Sequence, residues 1–292
     1  MQHILKFSNQ GIKLCFTIFD PARDFSQHIS KFCQPTDIAD YGLKDINSKE
    51  GITIFKEHKP DIVFSIVNYQ IIGAQLLNST GTGMINFHDG PLPFYRGVNV
   101  SSWAILNAEI EHGVTWHLMS EKIDSGDIIA QRKFPIKENI TAGQLMMKSL
   151  LEGANLFKEI FEDIIYNRYT RLQQPKEGSC YLSRDFPENN GTIDCSWHFA
   201  KIERMVRALN YRPYDNPFYY AKLKTSKRQV IINKVSRKYS QNDFKACGKV
   251  IKCEDSSVWI GCSDSIFSID EAIDQDMKKI PAIELANELP KI

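Results

Sequence analysis

The chain has 292 residues, of which 42% are hydrophobic and 24% charged, with a formal net charge of +1 at pH 7. These values are typical of a soluble globular protein with room for one large domain or two ordinary ones. No apolar run approaches the ~20 residues that span a bilayer and the start lacks the pattern of a signal peptide, so we expect a cytoplasmic protein and exclude a membrane-spanning one.

The first part of the chain alternates predicted helices and strands. Residues 1–10 resemble the end of a helix that Gly11 can stop, and the elements that follow are a strand over 12–19, a helix over 51–59, a strand over 62–67, a helix over 71–78 and a strand from Met84. This alternation predicts a parallel sheet of βαβ units. Because such a domain usually opens with a strand, we expect that the first strand is absent, either by truncation or through a late start codon.

The rest of the chain divides into the end of this domain and a second one. The predicted elements are a helix over 98–108, strands over 112–119 and 131–136, and a long helix over 141–166. A helix over 199–209 precedes short β-rich runs over 218–223, 229–235, 248–252, 257–262 and 266–269, a spacing typical of a small barrel. The prediction is an α/β domain with a Rossmann-like, mostly parallel sheet over 1–172, a linker over 173–190 and a C-terminal β-barrel domain over 191–287.

The seven cysteines indicate the redox state of the protein, and the distribution of charge indicates what kind of partner it can attract. No two cysteines form a C-x-x-C pair and their number is odd, so we expect reduced thiols that mostly serve packing. Residues 176–252 contain 16 Lys and Arg against 7 Asp and Glu, a local charge of +9 that leaves −8 for the remainder. A basic second half can attract an anionic partner such as RNA or a phosphate-bearing carrier, although a solvated basic surface remains an equal alternative.

The most informative stretch is the strand that ends at Asp89-Gly90-Pro91. Asn86 and His88 are two residues apart, so their side chains point to the same face of that strand. Polar side chains at a strand end lie where open α/β sheets bind ligands. The alternative is an ordinary strand end with a capping Asn and a surface His.

Several kinds of site are absent from the sequence. It has no G-x-G-x-x-G or phosphate loop, no G-x-S-x-G nucleophile motif, and no cysteine or carboxylate at ligand spacing beside His112 and His117. We therefore expect no metal. What remains is an amide, an imidazole and carboxylates, a set suited to attack by an external nucleophile on a carbonyl.

Four separate blocks resemble the folate-dependent formyltransferases. They are N-x-H at Asn86 and His88, L-P-x-x-R-G at 92–97, H-G-V-T-x-H at 112–117 and I-D-x-G-D-I at 123–128. Residues 1–170 resemble the catalytic domain of methionyl-tRNA formyltransferases, and the residues from about 190 resemble the C-terminal barrel of that family. The sequence of the central motifs is most similar to formyltransferases attached to peptide-synthetase assembly lines. These motifs are residues 64–68, 86–93, 102–103 and 116–119. A related branch of the family formylates amino sugars.

The resemblance implies a mechanism and a site. Asn86 and His88 would hold the oxyanion formed when an amine attacks the formyl carbon of 10-formyltetrahydrofolate, and Asp124 would keep His88 oriented and protonated and accept the amine's proton. The residues implied to contact the folate are Asn68, Tyr69, Gln70, Gly90, Pro91, Leu92, Pro93, Arg96, Thr115, Ile123 and Asp124.

Competing interpretations accompany some of these residues. Asp124 and Asp127 could simply shape a turn, and Arg96 could be only a loop anchor. We expect His117 to pack beside Trp116 and His112 to lie at the surface.

Two departures from the family pattern limit what the resemblance implies. This chain has Gly90 at a position where many members of the family have a serine. The region 20–40, with Arg23 and Lys31, lacks the basic loop expected of an enzyme that formylates initiator tRNA. Three acceptors therefore stay open: an aminoacyl group on a peptide-synthetase carrier, methionyl-tRNA, or a nucleotide-linked amino sugar. We expect neither DNA nor a membrane as a partner. A non-catalytic relative that only binds folate or a partner is the remaining alternative.

Overall fold

The computed structural model describes residues 1–22, 26–240 and 246–291, so Arg23 of the region 20–40 lies outside the described residues. The chain divides into two compact units. The first unit comprises residues 1–93, 114–132 and 152–177, and the second comprises residues 94–113, 133–151 and 178–292. The predicted boundaries at 172 and 190 stay a prediction.

Eight helices and thirteen strands are present in the described ranges. The helices are α1 (Gln2–Leu5), α2 (Ser26–Cys33), α3 (Lys49–His58), α4 (Ala74–Leu77), α5 (Val100–Leu106), α6 (Ala142–Ile165), α7 (Phe199–Ala208) and α8 (Ala282–Glu288). The strands are β1 (Phe16–Phe19), β2 (Ala39–Gly42), β3 (Val63–Ile66), β4 (Met84–His88), β5 (Arg96–Gly97), β6 (Glu111–Leu118), β7 (Ile128–Pro135), β8 (Cys180–Tyr181), β9 (Lys222–Lys224), β10 (Gln229–Ser240), β11 (Val250–Cys253), β12 (Val258–Gly261) and β13 (Ser265–Ile273).

The first unit is built on a four-stranded sheet in the order β3-β4-β6-β7, with β1 and β2 paired in parallel beside it as a separate two-stranded sheet. Strands β3 and β4 are parallel, whereas β4 and β6 are antiparallel. β4 lies between β3 and β6 in this sheet. Its apolar residues Met84, Ile85 and Phe87 are all buried, as expected for an interior strand. The predicted α/β class with a parallel-rich sheet is confirmed.

Apolar side chains cover this sheet. One cluster consists of Ile46, Phe55, Ile72, Leu76 and Met84. In a second cluster, rings of Phe64, Phe87, Trp116, Phe157 and Phe161 pack with centroids about 5–6 Å apart. This packing holds β4 and β6 in a fixed register.

The second unit contains a five-stranded antiparallel sheet in the order β11-β12-β13-β10-β9. Helix α7 supplies Phe199, Ile202 and Met205 to the hydrophobic core of this sheet. Within the described residues the edge strands β11 and β9 do not pair, so the sheet is open there rather than closed as the predicted barrel would be.

Most predicted elements are present, with ends shifted by a few residues. The structure adds α2 and β2, which lie between the predicted strand over 12–19 and the predicted helix over 51–59, and it adds α8 near the C-terminus. Cys33 and Cys262 are buried, whereas Cys180 and Cys253 are exposed rather than packed. No helix in the described parts of the chain is both long enough and apolar enough to cross a bilayer.

Candidate active site

The site begins with the pairing of β4 and β6. In this antiparallel pair Asn86 is opposite His117, and His88 is opposite Thr115. Because alternate residues of a strand share a face, all four polar side chains project from one face of the sheet. His88, His117 and Thr115 are buried, with 4%, 2% and 0% of their surface exposed. Three buried polar groups beside the half-buried Asn86 require internal hydrogen-bond partners.

Asp124 reaches both imidazoles from the turn between β6 and β7. Its Oδ2 lies 3.5 Å from Nδ1 of His88, and its Oδ1 lies 3.5 Å from Nε2 of His117. The carboxylate side chain is only 13% exposed, so little water screens these contacts. The structure therefore brings Asn86, His88 and Asp124 together, as the resemblance implied, and adds His117 to them.

The buried His117 ring makes hydrogen bonds that its predicted packing role did not include. Its Nδ1–H donates to the carbonyl oxygen of Leu118 at 2.8 Å, because a carbonyl only accepts. In the neutral ring Nε2 is then an acceptor, and Nδ2 of Asn86 donates to it at 3.2 Å. The expectation that His117 packs rather than reacts stays a prediction, and the structure adds these two hydrogen bonds to it. The signal that could have identified it is its spacing of two residues from Thr115, which places both on the face of Asn86.

The hydroxyl group of Thr115 forms hydrogen bonds with the loop that follows β4. The Thr115 hydroxyl donates to the carbonyl oxygen of Gly90 at 2.8 Å and accepts from the backbone N–H of Leu92 at 3.2 Å. Nε2 of Gln131 donates to the carbonyl oxygen of Leu92 at 2.7 Å and to the Thr115 hydroxyl at 3.0 Å. The Thr115 hydroxyl thus makes its bonds to the 90–92 loop, and that loop, which continues through Pro91 and Pro93, is rigidly placed beside His88.

Asp89 was not singled out by sequence reasoning. Burial of its carboxyl group raises the pKa of Asp89, the neighbouring charge of His88 and a backbone hydrogen bond oppose that rise, and the charge of Asp124 adds to it. The anionic form of Asp89 is therefore disfavoured in the folded protein.

Three of the residues implied to contact the folate, Asn68, Tyr69 and Gln70, follow the end of β3. Asn68 and Gln70 form a turn in which Nδ2 of Asn68 donates to the carbonyl oxygen of Gln70, and the backbone N–H of Gln70 donates to Oδ1 of Asn68. The Gln70 side chain accepts from Ile46 N at 2.7 Å and donates to the Leu43 carbonyl. Its amide therefore anchors the 43–46 loop, while the Tyr69 side chain is 54% exposed.

Apolar side chains are exposed around this strand end. Ile66 is 53% exposed, Tyr69 54%, Ile71 71% and Ile123, the neighbour of Asp124, 44%. Ile66 pairs with Phe87 in the register of β3 and β4, one residue before His88. Exposed apolar groups next to a buried polar cluster are typical of a small-molecule site.

Two further predicted residues belong to the second unit. Arg96 is half-buried in β5, and its backbone N–H donates to the carbonyl oxygen of Ser179 at 2.9 Å; its predicted folate contact stays a prediction. His112 is fully buried, with its ring edge-on to Tyr95 and Phe134 at centroid distances of 6.2 and 5.9 Å. The expectation of a surface His112 is wrong, because the start of β6 lies inside that unit's core.

The arrangement has a definite chemical capacity. An amide N–H of Asn86 and the imidazole of His88 can stabilise negative charge that develops on a carbonyl oxygen. The Asp124 carboxylate can hold the imidazole of His88 and accept a proton from an attacking nucleophile. No group of three or more metal-ligating side chains was found among the residues that the structure describes.

Comparisons with known proteins agree with this geometry. The formyl transferase family matches residues 20–160, and its C-terminal domain matches residues 187–290. The methionyl-tRNA formyltransferase of Clostridioides difficile (strain 630) is 30% identical over 224 residues, which are 76% of this chain and 70% of that enzyme. The GDP-perosamine N-formyltransferase of Brucella melitensis is 29% identical over 174 residues, 58% of this chain and 64% of that enzyme.

A solved structure supports the fold in the same way. HypX from Aquifex aeolicus in complex with tetrahydrofolic acid superimposes with a TM-score of 0.63 at 19% identity, covering 94% of this chain. The chain spans about half the length of HypX, 47%.

Proposed function

This chain belongs to the formyl transferase family, and we propose that it moves the formyl group of 10-formyltetrahydrofolate to the primary amine of an aminoacyl group carried by tRNA. The chain is a formyltransferase by its match to both domains of the family. The donor, the roles of the residues and the acceptor are the proposal.

The convergence of Asn86, His88 and Asp124 is the observation that carries the proposed mechanism. A side-chain N–H of Asn86 donates to the formyl oxygen as the amine attacks the formyl carbon. His88, held by Asp124, stabilises the same oxygen. Asp124 takes the proton that the amine must lose and returns it to N10 of the donor, as the bond from N10 to the formyl carbon breaks and tetrahydrofolate leaves. The 90–93 loop, held by Thr115, and the exposed Ile66, Tyr69 and Ile123 provide the walls for the donor.

The choice of acceptor rests on the second domain and its charge. The relative with the acceptor methionyl-tRNA in its name matches 76% of this chain, and residues 176–252 have a local charge of +9. Exposed cations concentrate on the five-stranded sheet and its loops, at Lys224, Lys227, Lys234, Arg237, Lys238, Lys249 and Lys252. Such a surface favours a polyanion.

Aromatic rings lie among these cations. The rings of Tyr239 and Trp259 are 5.8 Å apart, and the ammonium groups of Lys238 and Lys252 lie 5.1 and 4.7 Å from the Trp259 ring centroid. Tyr239 is 59% exposed. Exposed aromatic rings with neighbouring cations bind unstacked bases, which supports RNA over a small acceptor.

A nucleotide-linked amino sugar is the second candidate acceptor, favoured by the similarity to GDP-perosamine N-formyltransferase. The peptide-synthetase carrier rests on the central motifs alone, because the relatives described above carry other acceptors in their names. The non-catalytic alternative is disfavoured by the intact Asn86, His88 and Asp124 set.

A comparison of the three candidate acceptors tests the proposal. The protein is incubated with 10-formyltetrahydrofolate and, separately, methionyl-tRNA, an aminoacyl-loaded carrier protein and a nucleotide-linked amino sugar, and the products are read by mass. We expect formyl-methionyl-tRNA, with a KM that rises steeply with salt. A formylated sugar or carrier without formyl-methionyl-tRNA would refute the acceptor, and no product from any amine would favour the non-catalytic alternative.

A further inference from the structure

The turn that carries Asp124 is held in a specific backbone shape. Asp124 has φ +47°, in the left-handed region that few residues other than glycine adopt. The turn is closed by a hydrogen bond from the backbone N–H of Leu118 to the carbonyl oxygen of Asp127 at 2.9 Å, and a Cβ at Gly126 would overlap the Leu118 carbonyl. This shape places the Asp124 carboxylate between His88 and His117.

The outer side of that turn is bound by a segment far along the chain. Ile128, at the start of β7, exchanges two backbone hydrogen bonds with Leu172, at 2.8 and 2.9 Å. Gln174 lies two residues after Leu172, and its Nε2 donates to the carbonyl oxygens of Asp124 and Gly126, at 2.9 and 2.7 Å. Both hydrogens of one side-chain amide are thus committed to the turn.

Nothing in the family matches assigns a role to this segment. The matches cover residues 20–160 and 187–290, so Gln174 lies between them, in the stretch predicted to be a linker. We propose that Gln174 is a positioning residue for formyl transfer, which acts by holding the Asp124 turn in its observed shape. The inference rests on the proposed role of Asp124.

The expected effect follows from geometry. Without the Gln174 amide, two neighbouring carbonyls lose their shared donor, and a turn with an unfavourable backbone conformation loses its outer support. Displacement of a catalytic group by about 1 Å can cost ~10²-fold in rate. Because the turn can still visit its observed shape, we expect kcat of Gln174→Ala to fall by roughly 10-fold, with a smaller change in the KM for the amine.

The experiment compares Gln174→Ala with Gln173→Ala, an exposed neighbour of the same type. Formyl transfer gives kcat and KM, and hydrogen–deuterium exchange of the full chain reports on residues 119–128 directly. We expect faster exchange there and the loss of kcat in Gln174→Ala only. Unchanged exchange in Gln174→Ala, or the same change in both variants, would overturn the positioning role.

A second pair of variants separates this inference from the proposed function. If Gln174 acts through Asp124, Gln174→Ala should cause no further loss of rate in an Asp124→Asn background, while still accelerating exchange of the turn. Full additivity of the two losses would contradict the inference. Normal turnover by Asp124→Asn alone would instead refute the proposed role of Asp124.

Discussion

Replacement of His117 tests the part of the site that the structure added. In His117→Leu, the acceptor Nε2 is removed while a side chain of similar size fills the space, so Nδ2 of Asn86 loses the partner that lies 3.2 Å away. Leaving a polar group unsatisfied where water is excluded costs about 1–3 kcal/mol, which is an upper range for the half-buried Asn86. If that loss falls on the orientation of the Asn86 amide in the transition state, it corresponds to a decrease in kcat of ~5- to ~150-fold, since ~1.4 kcal/mol is tenfold.

His117→Gln is the matched control, because its Oε1 can accept from Asn86 as Nε2 does. Single-turnover formyl transfer with saturating donor and amine measures the chemical step for the wild type and both variants, and thermal unfolding verifies that each is folded. We expect a rate near the wild type for His117→Gln and a loss of ~10-fold or more for His117→Leu. Equal rates for His117→Leu and the wild type would refute the role of His117 in orienting Asn86.

Three further predictions concern stability and the donor loop. Since the folded-state pKa of Asp89 is raised, its contribution to stability is full below its ordinary value of 3.8 and is lost as pH rises through the folded-state value. Asp89→Asn should therefore raise the Tm relative to the wild type increasingly as pH rises above about 4, and a pH-independent difference would contradict the burial of its charge. Gly153→Ala should destabilise the protein by about 1–3 kcal/mol in urea unfolding, because the new methyl group overlaps the ring of Phe87; an unchanged midpoint would be inconsistent with this packing. Thr115→Val removes the hydroxyl that bonds Gly90, and we expect weaker binding of 10-formyltetrahydrofolate by ~10-fold, measured by fluorescence titration; unaltered affinity would show that the loop is held without it.

The sequence carried the information for single elements better than for contacts between them. The placement of Asn86 and His88 on one face followed from their spacing along a single strand. His117 was missed because its role depends on the antiparallel register that sets it opposite Asn86, and periodicity within one strand contains no information on register.

Longer separations along the chain were harder still. Gln174 is 50 residues from Asp124 in sequence, and its polar surroundings resemble a linker when read locally. Helix α2 and strand β2 were missed because Ser26–Cys33 and Ala39–Gly42 are short and mixed in polarity. His112 was expected at the surface, whereas its ring packs against Tyr95 and Phe134, which are distant in sequence or on another strand.

The rate of formyl transfer by His88→Ala is the most direct test of the proposed mechanism. The wild type and the variant are compared in single turnover with 10-formyltetrahydrofolate and the amine that the wild type accepts, with the product detected by mass. Loss of the imidazole that Asp124 holds at 3.5 Å should lower the rate by at least ~10²-fold, the usual scale of acid–base and oxyanion contributions. A folded His88→Ala variant that transfers the formyl group at the wild-type rate would contradict it.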